Sequence, residues 1–402
     1  MSAPDTEIII IGGGPVGATL AGLLGHNGID CIMVDARGKN DIHFMGPDPR
    51  ALAMTHASRR ILQSFNVWQK LPADRIGHFR QMHVWDENGR GEINFNCDEI
   101  CESSLGYIIE QSVLTNTLNG ILDFIPSITC LYGEKPVAVH WTDSVITVDL
   151  DERTITARLL VAADGIHSST RDHCNIGYTM YDYQQSALAC LVRTERPHED
   201  TARQRFLKDG PLAFLPMADP FQCGVVWSTD PDEAGILMAM NDDEFNHALK
   251  TAFESTLGDI IDSRHRTVFP LQRAQAEHYC KDRFALIGDA AHSVHPLAGQ
   301  GANLGLLDAA SLAQVILEAR RRNRDPGCIR VLRRYERWRK GENRFMMLVF
   351  EGFKYLFENQ MTPIPFLRNM GLNLVDQKSY LKHLIMRRAM GLEGDLPYVA
   401  KA

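Results

Sequence analysis

The sequence predicts an α/β fold that is interrupted by an antiparallel sheet and followed by a helical C-terminal region. Three observations carry that expectation. Residues 8–11 are four consecutive isoleucines, the pattern of a parallel strand buried on both faces, and Gly12, Gly14 and Gly17 follow at G-x-G-x-x-G spacing. From Tyr181 to Asp282 short strand-like runs alternate with polar turns, which is antiparallel-sheet patterning with one face covered. Residues 284–289 then return to a buried strand ending in Gly288-Asp289, and a second glycine-rich loop leads into a long helix. The expected organisation is a Rossmann-like domain from residues 1–180 and 281–325, an inserted sheet domain 181–280, and a helical region 326–402.

Each element has a local reason. At the first turn the glycines permit a tight bend, a close backbone approach to a pyrophosphate and close helix–strand packing. The helix expected over 18–25 offers free N–H groups and a positive dipole end. Residues 32–34 read as a second strand closing on Asp35, an acid placed to hydrogen-bond a ribose hydroxyl. A polar loop follows, with Arg50 at a loop-to-helix junction and a helical pattern through Ile61 and Leu62. Residues 113–124 read as an amphipathic helix and 128–131 as a strand. The runs 137–141, 145–150 and 154–157 form a small meander. A buried strand from Leu159 ends at Asp164-Gly165, with a helix start at Ser168 or Ser169. In the inserted region 187–192, 212–217 and 224–227 read as strands, and 244–253 as a helix. After Asp289, glycines 299 and 301 let backbone N–H groups face a planar ligand, Pro296 stiffens the loop, and a helix runs from Leu304 to Arg321.

Composition excludes several classes. The chain has 402 residues, 45% hydrophobic and 23% charged, with net charge −8. That describes an ordinary globular protein with ample core. Nine cysteines are scattered without C-x-x-C pairs and no secretory apolar segment precedes Ile8, so reduced thiols in a cytoplasmic protein are expected. No apolar run approaches the roughly 18 residues of a membrane span. No cluster has metal-ligand spacing, and no nucleophile motif is present. Basic residues lack the interleaved aromatics of a single-strand binding groove, so nucleic acid is not an expected partner.

Three motifs together resemble the class A flavoprotein monooxygenases of the p-hydroxybenzoate hydroxylase type: GGGPVG ending at Gly17, ADGIHSSTR from Ala163, and GDAAHSVHPLAGQGAN from Gly288 to Asn303. The resemblance spans essentially the whole chain. DPRALAM at 48–54, YDYQQSAL at 181–188, FLKDGPLAFLP at 206–216, FPLQ at 269–272 and the tail from Asn373 are similar to the ubiquinone-biosynthesis flavin hydroxylases, and most similar to members acting at the ring carbon called C5. The resemblance implies FAD, with NADPH or NADH as electron donor and dioxygen as co-substrate, hydroxylating a polyprenylphenol lipid. It also implies roles. Gly12, Gly14, Gly17 and Asp35 would hold the pyrophosphate and adenosine ribose, with Arg37 near the adenine. Arg50 would lie close to the flavin, Gln111 beside it, and Asp164 would support FAD near the nicotinamide route. Asp289 would bind the ribityl chain, Pro296 would face the isoalloxazine, and Gly299, Gln300, Gly301, Ala302 and Asn303 would meet its pyrimidine edge. Two departures stand out. Many relatives carry arginine where this chain has Gln111, and Asp35 replaces the commoner glutamate.

The resemblance leaves the catalytic base unnamed. His167, His292 and His295 lie in or beside the motifs, as candidates to assist phenol deprotonation or as structural histidines. A reductase or a non-catalytic scaffold within a ubiquinone-biosynthesis assembly is the alternative function, disfavoured by the intact loop at 299–301. For the lipid tail, Leu212, Phe214, Leu215 and Phe221 are candidates to line an apolar route. The C-terminal part is basic: residues 320–402 hold 18 Lys+Arg against 8 Asp+Glu, so the rest carries −18. A basic helix over 330–344, an apolar stripe from Phe345 to Phe357, a segment 361–367 broken by Pro363 and Pro365, and a last helix with Leu381, Leu384, Ile385, Met386 and Met390 beside Lys382, Arg387 and Arg388 follow. That pattern suits the inner face of an anionic membrane, a partner protein, a homo-oligomer contact, or a cap on the chain's own body.

Overall fold

A computed structural model describes residues 4–42, 48–87, 91–294, 300–358 and 379–401. The four isoleucines lie in the strand Thr6–Ile11 of an eight-stranded sheet. It pairs in parallel with Cys31–Asp35 on one side and Thr154–Ala162 on the other, and Ile128–Tyr132 and Phe284–Leu286 extend the flanks in parallel. Parallel strands need crossovers that cover both faces, and Ile8, Ile9 and Ile10 are accordingly fully buried. The helix after the first turn is Pro15–His26, three residues earlier than expected because proline is pre-set for the first helical position. The meander forms from Pro136–Trp141, Ile146–Leu150 and Thr154–Ala162. The runs 154–157 and 159–162 are one strand, whose first half pairs with the meander and whose second half pairs with the central strand.

The second eight-stranded sheet runs in the order His292–Ser293, Ile260–Ala276, Tyr178–Thr194, Gln222–Thr229, Gly210–Pro216, Thr201–Leu207, Gln81–Asp86, Glu92–Asn96. It is antiparallel except where Thr201–Leu207 meets Gln81–Asp86. Helices Pro231–Ala239 and Asp242–Ala252 cover one face, where Leu188, Leu212, Phe214, Val225 and Trp227 pack on Leu237, Phe245, Leu249 and Phe253. Burying each such side chain contributes roughly 1.5–3 kcal/mol. Successive strand residues point to opposite faces, so Ala189, Ala213, Leu215 and Val226 face the other way.

A third, three-stranded sheet corrects one expectation. Arg50 does not enter a helix; Ala51–Met54 is a strand paired along its length with Gly106–Glu110, and the helix His56–Gln63 starts after Thr55, whose side chain accepts from the Ser58 N–H. Cross-strand pairing overrides the helical propensity of Ala-Leu-Ala-Met.

The basic helix and the apolar stripe are one helix, Ile329–Glu358. Leu332, Tyr335, Arg339, Asn343 and Met347 are buried along it at near four-residue spacing, while Phe345, Leu348 and Tyr355 are exposed. The last helix, Ser379–Ala389, docks on the body through Met386, with Met390 just beyond it, in a cluster with Phe79, Ile100 and Leu105. Its cations pair within the chain: Lys382 with Glu99 at 2.9 Å, Arg387 with Glu393 at 2.6 Å and Arg388 with Glu342 at 3.2 Å. The proline-broken segment 361–367 lies outside the described residues, as do the side chains of Phe353, Leu356, Phe357 and Leu381.

Candidate active site

The first glycine turn shows why each glycine is needed. Gly12 has φ +110°, and a Cβ there would stand 2.3 Å from the Ala163 carbonyl oxygen. A Cβ on Gly17 would stand 1.9 Å from the Gly12 carbonyl oxygen, so this position serves helix–strand packing. Gly14 differs: nothing lies within 4 Å of its missing Cβ, and it caps the helix without a side-chain hydrogen bond. Open space beside unsatisfied helix N–H groups is what an incoming phosphate requires. Beyond the turn, Asp35 accepts from the Gly13 N–H at 2.7 Å and from the Arg37 guanidinium at 2.7 and 3.0 Å. Burial alone would raise the Asp35 pKa, but the Arg37 and Gly13 hydrogen bonds outweigh it and hold it below the usual range.

A cleft of about 860 Å3 opens where this turn, the second glycine loop and the second sheet converge, within the size range of ligand and cofactor sites. Gly14, Arg50, Gln111, Asp289, Gln300, Gly301 and Ala302 all line it. Arg50 and Gln111 come together because the Gln111 N–H donates to the Arg50 carbonyl at 2.9 Å across the small sheet. Asp48 fixes this corner, accepting from Arg50 and from the Ser112 N–H at 3.0 Å each. Asp289 opens into the cleft with protein atoms around it; that desolvation raises its pKa, and Asp308 adds to the rise while His292 opposes it. A carboxylate open to the cleft, with no hydrogen bond or ion pair among the described residues, beside an open glycine turn fits a polyhydroxylated, phosphorylated cofactor.

Other expected residues stand outside the lining. Asp164 accepts from Ser168 Oγ and from the Thr170 N–H and Oγ1, at 2.5, 3.1 and 2.8 Å, and so organises its own turn. Arg171, from the same motif, ties that turn to the second loop by donating to the Ile166 and Ala290 carbonyls at 3.2 Å each. The Asn303 side chain is engaged elsewhere: its Oδ1 accepts from the Thr55 N–H and Ser58 Oγ, and its amide donates to the Ala53 carbonyl at 2.7 Å. Its side chain is thereby committed to the small sheet and the helix that follows it. His167 lines the cleft, whereas His292 is buried and hydrogen-bonded to Asp308 at 2.5 Å. Pro296, Gly299 and His295 lie outside the described residues. Among the described residues no group of side chains could hold a metal ion.

The apolar-route residues divide by strand alternation. Leu215 lines the cleft, joined by Ala189, Ala202, Ala213 and Val226. Leu212 and Phe214 point to the helix-covered face, and Phe221 is exposed at a turn. Arg203 borders the cleft, but it stands opposite Phe214 and its guanidinium donates to the His198 and Thr201 carbonyls at 2.7 and 3.3 Å.

Beneath the second loop lies a network that sequence reasoning missed. Asp308, fully buried, accepts from the Gly288 N–H at 3.1 Å, Arg339 Nε at 2.8 Å and Asn343 Nδ2 at 3.2 Å, besides His292. Its signals are faint: one acid inside the apolar run Leu-Gly-Leu-Leu-Asp-Ala-Ala, and Arg339 and Asn343 four residues apart on a basic helix.

Comparison with known proteins agrees with this geometry. The model of the FAD binding domain family matches residues 5–341. The chain is 33% identical over 394 residues to the 3-demethoxyubiquinol 3-hydroxylase of Escherichia coli (strain K12), covering 98% of this chain and 100% of that one. It is 32% identical over 386 residues to the ubiquinone hydroxylase UbiL of Rhodospirillum rubrum, covering 96% and 89%. The crystal structure of the p-nitrophenol 4-monooxygenase PnpA from Pseudomonas putida superposes with a TM-score of 0.78 at 17% identity, covering 96% and 97%, a likeness of fold.

Proposed function

This chain belongs to the FAD binding domain family and is a FAD-dependent monooxygenase, and from that premise we propose that it hydroxylates the ring of a polyprenylphenol on the route to ubiquinone. NADPH or NADH supplies the electrons in this reading, and C5 is the ring carbon favoured by motif likeness. In this reading the cofactor domain is residues 1–180 and 281–325, the substrate domain 181–280 and the helical region 326–402, with Gln81–Asp86, Glu92–Asn96 and His292–Ser293 completing the substrate sheet. FAD, when bound, supplies the redox and oxygen chemistry. The chain's part is to bind, orient and exclude water. Gly12, Gly14 and Gly17 cradle the pyrophosphate, Asp35 and Arg37 meet the adenosine end, and Asp289 meets the ribityl hydroxyls. Arg50, Gln111, Gln300, Gly301 and Ala302 surround the ring, and Asp164 holds the turn beside them.

The observation that carries the substrate assignment is the cleft floor. Ala189, Ala213, Leu215 and Val226 present an apolar surface, and the guanidinium of the bordering Arg203 is already held by two carbonyls. Such a floor accepts an aromatic ring with an apolar tail and itself offers no free cation to a carboxylate; Arg50, which also lines the cleft, serves the flavin side in this reading. Purified holoenzyme should therefore turn over a short-chain prenylphenol faster than 4-hydroxybenzoate. Faster turnover of the benzoate overturns the assignment.

The lipid substrate, in the same reading, is met at a membrane surface. Tyr380, Leu384 and Ile385 on the last helix and Phe345 and Leu348 on the long helix are exposed apolar residues in a segment of net charge +10. Apolar side chains among cations favour anionic interfaces. No helix among the described residues is long and apolar enough to cross a membrane; the contact in this reading is a peripheral one. The holoenzyme should float with anionic vesicles at low salt, and a Leu384→Asp/Ile385→Asp variant should lose most of that binding. Equal flotation of the two rules out this helix as the contact.

A further inference from the structure

One side chain on the cleft floor has no structural employment. Gln204 is 7% exposed and lines the cleft. No hydrogen bond to its side chain is found among the described residues, although an amide carries two donor hydrogens and an acceptor oxygen. Its neighbours across the sheet are Val84 on one side and Ala213 on the other, and neither side chain can hydrogen-bond. Buried polar groups are nearly always partnered, and one left without a protein partner calls for a water or a ligand.

The surroundings indicate which. Pairing across five strands sets Gln204, Ala213, Val226, Ala189 and Thr267 in a single row. All five line the cleft. Three small apolar residues therefore separate a polar end from another polar end, and adjacent strands stand about 4.8 Å apart. A planar ring lying over Ala213 and Val226 would have its edge at Gln204. The neighbouring Arg203 and Arg205 are on the opposite face, held by carbonyls and, for Arg205, by Glu254 at 2.9 Å. Gln204 thus meets the ring as a neutral group, with the guanidiniums of both its chain neighbours already engaged.

We infer that Gln204 is the substrate-reading residue of this cleft: its amide hydrogen-bonds the hydroxyl of a phenol whose ring lies on the Ala213–Val226–Ala189 floor. The inference rests on the monooxygenase reading for its purpose, but not for its test. A neutral amide oxygen accepts the phenol's O–H without drawing a charged substrate, so it selects phenols over both their ethers and benzoates. A site built around a substrate hydroxyl rejects an analogue lacking it, because the buried partner is then left unpaired.

The test is direct binding to the FAD-loaded enzyme, followed by the change in flavin absorbance. The probes are 2-allylphenol and its O-methyl ether, in which a methyl replaces the donor hydrogen. The parent should prefer the phenol by roughly tenfold or more, the discrimination expected when one buried polar group goes unpaired. Gln204→Met, close in volume and unable to accept strongly, should bind both probes alike while keeping its flavin content and spectrum. Gln204→Glu keeps an acceptor and should keep the preference. If Gln204→Met, with flavin intact, discriminates as the parent does, the inference is overturned; so it is if the parent itself shows no preference. A parent that binds the phenol selectively yet never hydroxylates it would defeat the monooxygenase reading and leave the role of Gln204 standing.

Discussion

A Gly12→Ala chain is expected to emerge from purification without bound FAD and with a destabilised central sheet. The added methyl must fit where the Ala163 carbonyl oxygen is 2.3 Å away, its carbon 2.6 Å and the Asp164 nitrogen 2.9 Å. All three are backbone atoms at the end of a strand paired to the one Gly12 terminates, so none can swing aside. A side chain at positive φ adds about 1–3 kcal/mol of strain, and overpacking a tight site costs about 1–3 kcal/mol more. Relief by backbone shift would displace the helix start and the Asp164 turn together. Gly14→Ala is the contrast, since its Cβ meets open space. That variant should unfold at the parent's temperature when free of cofactor, yet bind FAD more weakly. The measurements are flavin content by visible absorbance and thermal unfolding of the cofactor-free proteins. Full flavin occupancy at parent affinity in Gly12→Ala would remove the turn from the cofactor site.

The second large effect is expected from Arg339→Met, which leaves the fully buried Asp308 without its guanidinium partner. Arg339 is itself only 2% exposed. Breaking one side of a buried ion pair costs about 3–5 kcal/mol, because the remaining charge is uncompensated. The pH dependence gives the sign. Burial by itself would raise the Asp308 pKa, but the pull of His292 and Arg339 outweighs it and holds the group down at about 2. A depressed carboxylate stabilises the fold above its unfolded value of about 3.9, and that contribution is lost as pH falls through about 2. In Arg339→Met the carboxylate becomes a liability instead, so the gap between variant and parent should be widest near neutral pH and close in acid. Asp308→Asn should restore part of the loss in the Arg339→Met background, since the two sites share one network. Chemical denaturation at several pH values measures all three. A variant as stable as the parent at neutral pH would mean that the network does not hold the second loop's base.

Much of the fold was legible because its determinants are close together in the chain. The four isoleucines, the glycine spacing and Asp35 fall within thirty residues of one another, and the sheet they belong to followed from them. The strand at Ala51–Met54, which makes Arg50 a loop-to-strand junction and not a loop-to-helix one, was not legible for the opposite reason. Its partner is Gly106–Glu110, some fifty residues on, and its own letters favour a helix. The assignment of Leu212 and Phe214 to the cleft failed on a different point. Alternation says that neighbours part company, but not which face two helices will cover.

By itself the sequence determined the order of elements, the interruption of one sheet by another, the two glycine loops and, through its motifs, the cofactor those loops serve. All of these depend on contacts within a strand, a turn and the helix that follows. Tertiary structure alone decided which side chains share a space. It sent Leu215 and Ala213 to the cleft and their neighbours to the helices, and drew Asn303 away to Thr55 and Ser58. It turned arginine 339 of a basic helix into the buried partner of Asp308, 31 residues earlier. It also left the Gln204 amide between Val84 and Ala213 without a hydrogen-bond partner among the described residues. The physical reason is the same in each case. A polar group's role depends on whether burial leaves it a partner, and burial is set by strands and helices that are distant in sequence.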